Sequence, residues 1–117
     1  MSGLLTTHVL DTANGRPAAG MPLELYTVDG ENRTLMKSAQ TNADGRTEEP
    51  LLSREEFAVG LYEIVFDVGG YFARDTGQPD PPFLGHVPIR FGVADPDAHY
   101  HVPLLLSPWS YSTYRGS

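Results

Sequence analysis

No cysteine occurs in the 117 residues. That absence excludes a disulfide framework and a thiolate nucleophile, and it leaves only histidine and carboxylate as zinc ligands. Positive charge is also scarce: eight lysine and arginine residues face fifteen acidic ones, a formal net charge of −7. Nucleic acid is bound by a basic field that meets its phosphates, so this balance argues against such a partner. No stretch approaches the roughly 18 apolar residues of a membrane span. The opening "MSGLLTTHVL" lacks the basic-then-apolar order of a secretory signal. The expectation is a single domain over residues 1–117, soluble and cytoplasmic, with no nucleic-acid or membrane partner. At this length a core forms without staples, because folding buries roughly two-thirds of the surface of the unfolded chain.

What is abundant is punctuation. Twelve glycines and ten prolines are spread along the chain and are not gathered into a linker. Between them lie runs of β-character: "LLTTHVL" (4–10), "LELYTV" (23–28), "TLMKSAQT" (34–41), "LYEIVFDV" (61–68), "VPIRFGV" (87–93) and "HYHVPLLL" (99–106). In the fourth run Tyr62, Ile64, Phe66 and Val68 fall on one face, and Leu61, Glu63, Val65 and Asp67 on the other. That is the pattern of a half-exposed antiparallel strand. "TANGRPAAGMP", "VDGEN", "NADGR" and "ADPDA" are turn signals between the runs. "SREEF" and "GGYFARDTG" have room for a helical turn or two, the first with a capping-box pair in Ser53 and Glu56. Short strands with frequent turns predict an all-β, two-sheet antiparallel sandwich with one short helix.

The groups with catalytic potential are few: His8, His86, His99 and His101, and the small cationic stock. His8 sits inside the first run on a face with Leu4, Thr6 and Leu10. A strand histidine taken alone is ordinarily structural. His99 and His101 form an H-x-H pair whose side chains leave one strand in the same direction. They could face one metal if a third ligand joined them, or one of them could simply face solvent. Arg46 follows the tight turn that Asp44-Gly45 favours, which fixes where its side chain leaves the sheet. Arg16 follows a similar turn, and most such arginines are solvated. The terminal "SPWSYSTYRGS" alternates Trp109, Tyr111 and Thr113 with Ser110, Ser112 and Tyr114, which predicts a last strand in place of a frayed tail.

Taken together, "LLTTHVLDTANGRPA", "TNADGR", "FLGHVPIRFGV" and "YHVPLLLSPWSYSTYRGS" resemble the 5-hydroxyisourate hydrolases, the transthyretin-related enzymes of purine breakdown. The likeness runs in order over essentially the whole chain. "LLSPWSYST" resembles both the enzymes and transthyretin, and the final "YRGS" favours the enzymes. Residues 32–38 and 77–82 carry no motif of the family.

The resemblance implies a transthyretin-like fold, a homotetramer built as a dimer of dimers, and active sites in the channel between dimers. It implies His8, Arg46, His101 and Ser117 as catalytic residues, and His8, Arg46, Tyr114, Arg115 and Gly116 as substrate-binding residues. His99 then becomes the non-catalytic member of its pair. The implied reaction converts 5-hydroxyisourate to 2-oxo-4-hydroxy-4-carboxy-5-ureidoimidazoline by opening a cyclic amide, without metal or organic cofactor. The residue types suit that chemistry. Neutral imidazole takes a proton from water near pH 7, and a second imidazole positions water or protonates the departing nitrogen. A permanent arginine cation meets the developing oxyanion. Ser117 offers a hydroxyl and a carboxylate to orient a histidine or water. Gly116 lets the tail turn in, and Tyr114 and Arg115 stack on or hydrogen-bond the ring. Two alternatives remain: a carrier of a small hydrophobic ligand in the same channel, disfavoured by His8, Arg46 and His101, and a metal-dependent hydrolase using His99 and His101.

Overall fold

Alternation decides the strands. In β1 (Leu5–Asp11) Leu5, Thr7, Val9 and Asp11 are buried, while Thr6, His8 and Leu10 lie half-buried on the opposite face. The computed structural model, which describes residues 3–75 and 77–116, continues with β2 (Arg16–Pro17), β3 (Pro22–Asp29), β4 (Asn32–Gln40) and β5 (Gly60–Asp67). A short helix α1 (Val68–Phe72) leads to β6 (His86–Val93), β7 (Tyr100–Leu106) and β8 (Tyr111–Thr113). They form two four-stranded sheets, β2-β1-β7-β8 and β4-β3-β5-β6. Leu5, Val9 and Leu104 of the first sheet share one core with Leu23, Leu25, Ile64 and Phe66 of the second. This is the predicted all-β sandwich with its one short helix.

The pairings are antiparallel except that of β1 with β7, which is parallel. A parallel pair needs a long crossover connection, and here the whole second sheet serves as one, since β3 to β6 lie between β1 and β7 in sequence. The consequence is local and important: Thr6 stands opposite His101 and His8 opposite Pro103.

The two segments with helical potential part ways. "GGYFARDTG" supplies all of α1 but its first residue, and the helix is capped where the Asp67 side chain accepts from Gly70 N. Its Tyr71 hydroxyl donates to Asp11 Oδ2 at 2.8 Å, which ties the helix to the end of β1. "SREEF" forms only a turn, with Ser53 N donating to Glu56 Oε1 at 3.1 Å. Its capping residues are present, but the apolar run that would extend a helix is not.

Glu63 departs from a simple half-exposed strand. It is on the outer face of β5, yet it is buried. Arg33 Nη1 donates to its Oε2 at 2.7 Å and Arg90 Nε to its Oε1 at 3.0 Å. Burial alone would raise its pKa, but the hydrogen bonds and charges of the two arginines outweigh it and hold the carboxyl below its ordinary range. The two arginine stems cover the carboxylate that they neutralise.

Candidate active site

The site lies on the outer face of the β2-β1-β7-β8 sheet. It begins with the 42–46 turn, which closes on itself and then docks on β1. Asn42 Oδ1 accepts from Asp44 N at 2.9 Å and from Arg46 N at 3.2 Å. Asn42 N donates to Arg46 O at 2.7 Å, and Val9 N donates to Gly45 O at 2.8 Å. Gly45 is required at that contact. Its φ is +79°, and a Cβ there would lie 2.4 Å from Val9 O. A turn so tightly bound delivers Arg46 to one place.

His8 is joined to the same turn. Its Nε2 lies 2.9 Å from Asp44 O. A carbonyl oxygen can only accept, so Nε2 carries the proton and Nδ1 is the lone-pair nitrogen of the neutral ring. The His8 and His101 ring centroids are 6.5 Å apart, with their planes tilted by 41°. His101 is bonded differently: its Nδ1 lies 2.9 Å from Thr6 Oγ1, which is also 3.0 Å from His99 Nε2. The pKa of His101 is lowered, first by burial and then by the positive charge of Arg46, with smaller contributions from His8 and His99. His101 is therefore a neutral imidazole near pH 7.

A groove of about 440 Å³ opens at these groups, lined by Thr6, Thr7, Arg46, Thr47, Glu48, Glu49, Pro50, His99 and His101. All of these but Pro50 bring a polar or charged side chain, which gives a small hydrogen-bonding guest several partners. Among the described residues, no three His, Cys, Asp or Glu side chains gather to hold a metal ion.

The tail is held as a strand, with one gap. Leu106 pairs with Tyr111, Leu105 with Ser112 and Leu104 with Thr113. Next comes Pro103, which has no N–H to give, and the ladder opens. Thr113 Oγ1 donates instead to Pro103 O at 2.6 Å. Pairing resumes in the same register at His101 and Gly116, where Gly116 N donates to His101 O at 2.7 Å. A Cβ on Gly116 would stand 2.8 Å from Cδ2 of the His101 ring, so glycine permits this approach. Gly116→Ala is expected to keep the fold and its Tm within a few degrees while lowering kcat about 10- to 100-fold, since small displacements of a reacting group have effects of that size. Thermal melting and initial rates on the same preparation check it.

The structure thus brings His8, Arg46, His101 and Gly116 together. Tyr114 is exposed. Arg115 goes elsewhere: its guanidinium lies 4.3 Å from the Tyr100 ring centroid and lines a separate, mostly apolar hollow of about 210 Å³ with Ile89, Phe91 and Tyr114. Tyr100 belongs to the inward face of β7, so Arg115 stacks over the opposite side of the strand from His101. Ser117 lies outside the described residues. Thr6 is the residue that sequence reasoning did not single out. Its spacing from His8 was visible, but its contact with both other imidazoles depends on the parallel register.

The HIUase/Transthyretin family matches residues 5–116 of the chain. The chain is 59% identical to 5-hydroxyisourate hydrolase 2 of Rhizobium meliloti (strain 1021), over 99% of its own length and 98% of that protein's. Among solved structures it resembles an (S)-allantoin synthase with a TM-score of 0.92 and 52% identity, over 99% of this chain and 44% of that one, so it spans less than half of that protein. Sea bream transthyretin in complex with thyroxine aligns with a TM-score of 0.84 and 29% identity, over 96% of this chain and 93% of that one. By sequence and by fold, the chain belongs to the HIUase/Transthyretin family.

Proposed function

We propose that this enzyme, a hydrolase, acts on 5-hydroxyisourate in urate breakdown and opens a cyclic amide of that oxidised purine by water attack. The observation that carries the reading is the convergence of Arg46 and two imidazoles, His8 and His101, on one polar face, with His101 kept neutral. In this mechanism His101 Nε2 takes a proton from water, since its Nδ1 is bonded to Thr6. His8, anchored through Nε2, presents Nδ1 to the water or the ring. Arg46 meets the oxyanion that forms as the carbonyl is attacked. Gly116 seats the tail against His101, and Ser117 follows with its proposed orienting role. Arg115, stacked on Tyr100, reaches the substrate in this reading only by leaving that ring.

The assembly proposed is a homotetramer, with the groove facing a channel between dimers. The open groove and the exposed Trp109, Tyr111 and Tyr114 are consistent with surfaces that a neighbouring subunit would cover. A cytoplasmic site of action is part of the same proposal; among the described residues no helix is long and apolar enough to cross a membrane. The carrier reading fits less well, because His8, Arg46 and His101 would meet an apolar guest with unpaired polar groups.

The test is the decay of freshly made hydroxyisourate, followed by its ultraviolet absorbance with and without protein. Catalysed loss well above the spontaneous rate, unchanged by prior chelator treatment, is expected. A rate equal to the blank removes the proposed reaction, and a rate abolished by chelation brings back the metal-dependent one.

A further inference from the structure

The His101–Thr6–His99 contact is left over once the catalytic roles are assigned. One hydroxyl lies 2.9 Å from His101 Nδ1 and 3.0 Å from His99 Nε2. It owns a single proton and has two lone pairs. With that proton lying between the two rings, two arrangements satisfy it. In the first, His101 Nδ1–H donates to Thr6, and Thr6 donates to His99 Nε2. In the second every donor and acceptor is reversed. In either one the tautomer of one imidazole sets that of the other. The two rings differ in surroundings: His99 is exposed, while His101 is half-buried and near Arg46 and His8.

We propose that Thr6 and His99 act as a proton reservoir for His101, holding at the protein surface the charge that His101 would otherwise carry beside Arg46. The inference rests on the hydrolytic reading and deepens it. In the first arrangement His101 Nε2 has the free lone pair. An O–H bond of water breaks, its proton bonds to Nε2, and the water oxygen attacks the carbonyl carbon. The Nδ1 proton moves to Thr6 Oγ1, and the hydroxyl's own proton moves to His99 Nε2. His99, already protonated on Nδ1, becomes the imidazolium, and His101 stays neutral. When the C–N bond breaks, the sequence runs backward. Nε2 gives its proton to the departing nitrogen, and His99 returns one through Thr6 to Nδ1. Every proton is accounted for and the site resets. The remaining water proton leaves with the ionising carboxylic acid product.

Parallel pairing of β1 with β7 supplies the geometry, since it sets Thr6 opposite His101, while His99, just before β7, reaches the same hydroxyl. The charged and titratable groups around the relay are Arg46 from the turn, Glu48 and Glu49 just after it, and His8 from β1. Thr6 and His99 are positioning residues, acting through His101.

The test uses T6V, which keeps the shape and removes the hydroxyl, with T6S, H99Q and the T6V/H99Q double variant. T6V and H99Q are each expected to lower kcat about tenfold, at the small end of acid–base effects, with KM within about twofold. T6S should restore most of the rate. The double variant should be no slower than either single one, because one relay is being cut twice. Wild-type kcat in T6V, or independent losses that multiply in the double variant, overturns the proposal. H99Q changes an exposed side chain, so it carries the test alone should T6V not fold. Without substrate, NMR should find the proton of neutral His101 on Nδ1 in wild type, donated to Thr6, and this preference should be lost in T6V. A wild-type His101 protonated on Nε2 also overturns the reservoir. Failure of the hydrolytic reading would appear differently, as absence of catalysed hydroxyisourate loss by the wild-type protein.

Discussion

Arg46→Gln is expected to lower kcat on hydroxyisourate by about 10²–10³, the range for removing an oxyanion partner from a preorganised site. The fold should survive, because the 42–46 turn is held by backbone groups and the Asn42 side chain and not by the guanidinium. Two consequences of the lost charge can be measured apart. Arg46 is the second cause, after burial, of the lowered pKa of His101. Removing it should move the His101 titration part of the way back toward the ordinary imidazole value of about 6.5. The sign follows from the charge: a neighbouring cation opposes a second proton, so its removal makes protonation easier. Arg46→Lys separates charge from shape. It should leave the His101 titration nearly where it is in wild type and still lose most activity, because an ammonium point charge replaces a planar fork of donors. A lysine variant with wild-type turnover would mean that charge alone suffices, and the directional role of the guanidinium would fall.

The residues that were legible from sequence share one property: they depend on local pattern. Alternation placed His8 on one face of β1 with Thr6 and Leu10, and Asp44-Gly45 announced the turn that presents Arg46. The strand limits followed from glycine, proline and apolar runs. What was not legible depends on neighbours distant in sequence. Glu63 read as the outer face of a half-exposed strand, and its burial follows from Arg33 on β4 and Arg90 on β6. Nothing in "LYEIVFDV" says that those arginines will flank it. His99 read as the idle member of a pair, and its link to His101 runs through Thr6, more than ninety residues away. That link exists because β1 and β7 run parallel, a relation that alternation within either strand does not encode. Arg115 is placed by the same kind of distant pairing: with Gly116 opposite His101, the neighbouring arginine leaves on the other face and its guanidinium lies over Tyr100.

His101→Gln is expected to have the largest effect of all, a fall in kcat of about 10²–10⁴, because glutamine forms hydrogen bonds but cannot take a proton from water. The backbone contact with Gly116 uses the carbonyl of residue 101 and survives the change, so the tail stays paired. His8→Gln provides the comparison. A glutamine amide can still donate to Asp44 O, which keeps the anchoring role of Nε2 and removes only the acceptor nitrogen. If His101 is the base, the His8 variant should be the more active of the two by at least tenfold. The reverse order would transfer the base to His8. The pH dependence supports the same assignment. Burial first and Arg46 second lower the pKa of His101, so the ring stays neutral at pH values where an ordinary imidazole is half protonated, and the rate loss due to its protonation falls on the acid side of about 6.5. In His101→Gln that part of the acid limb should vanish from the residual rate. An unchanged limb would mean that another group takes the proton, whatever the variant does to kcat.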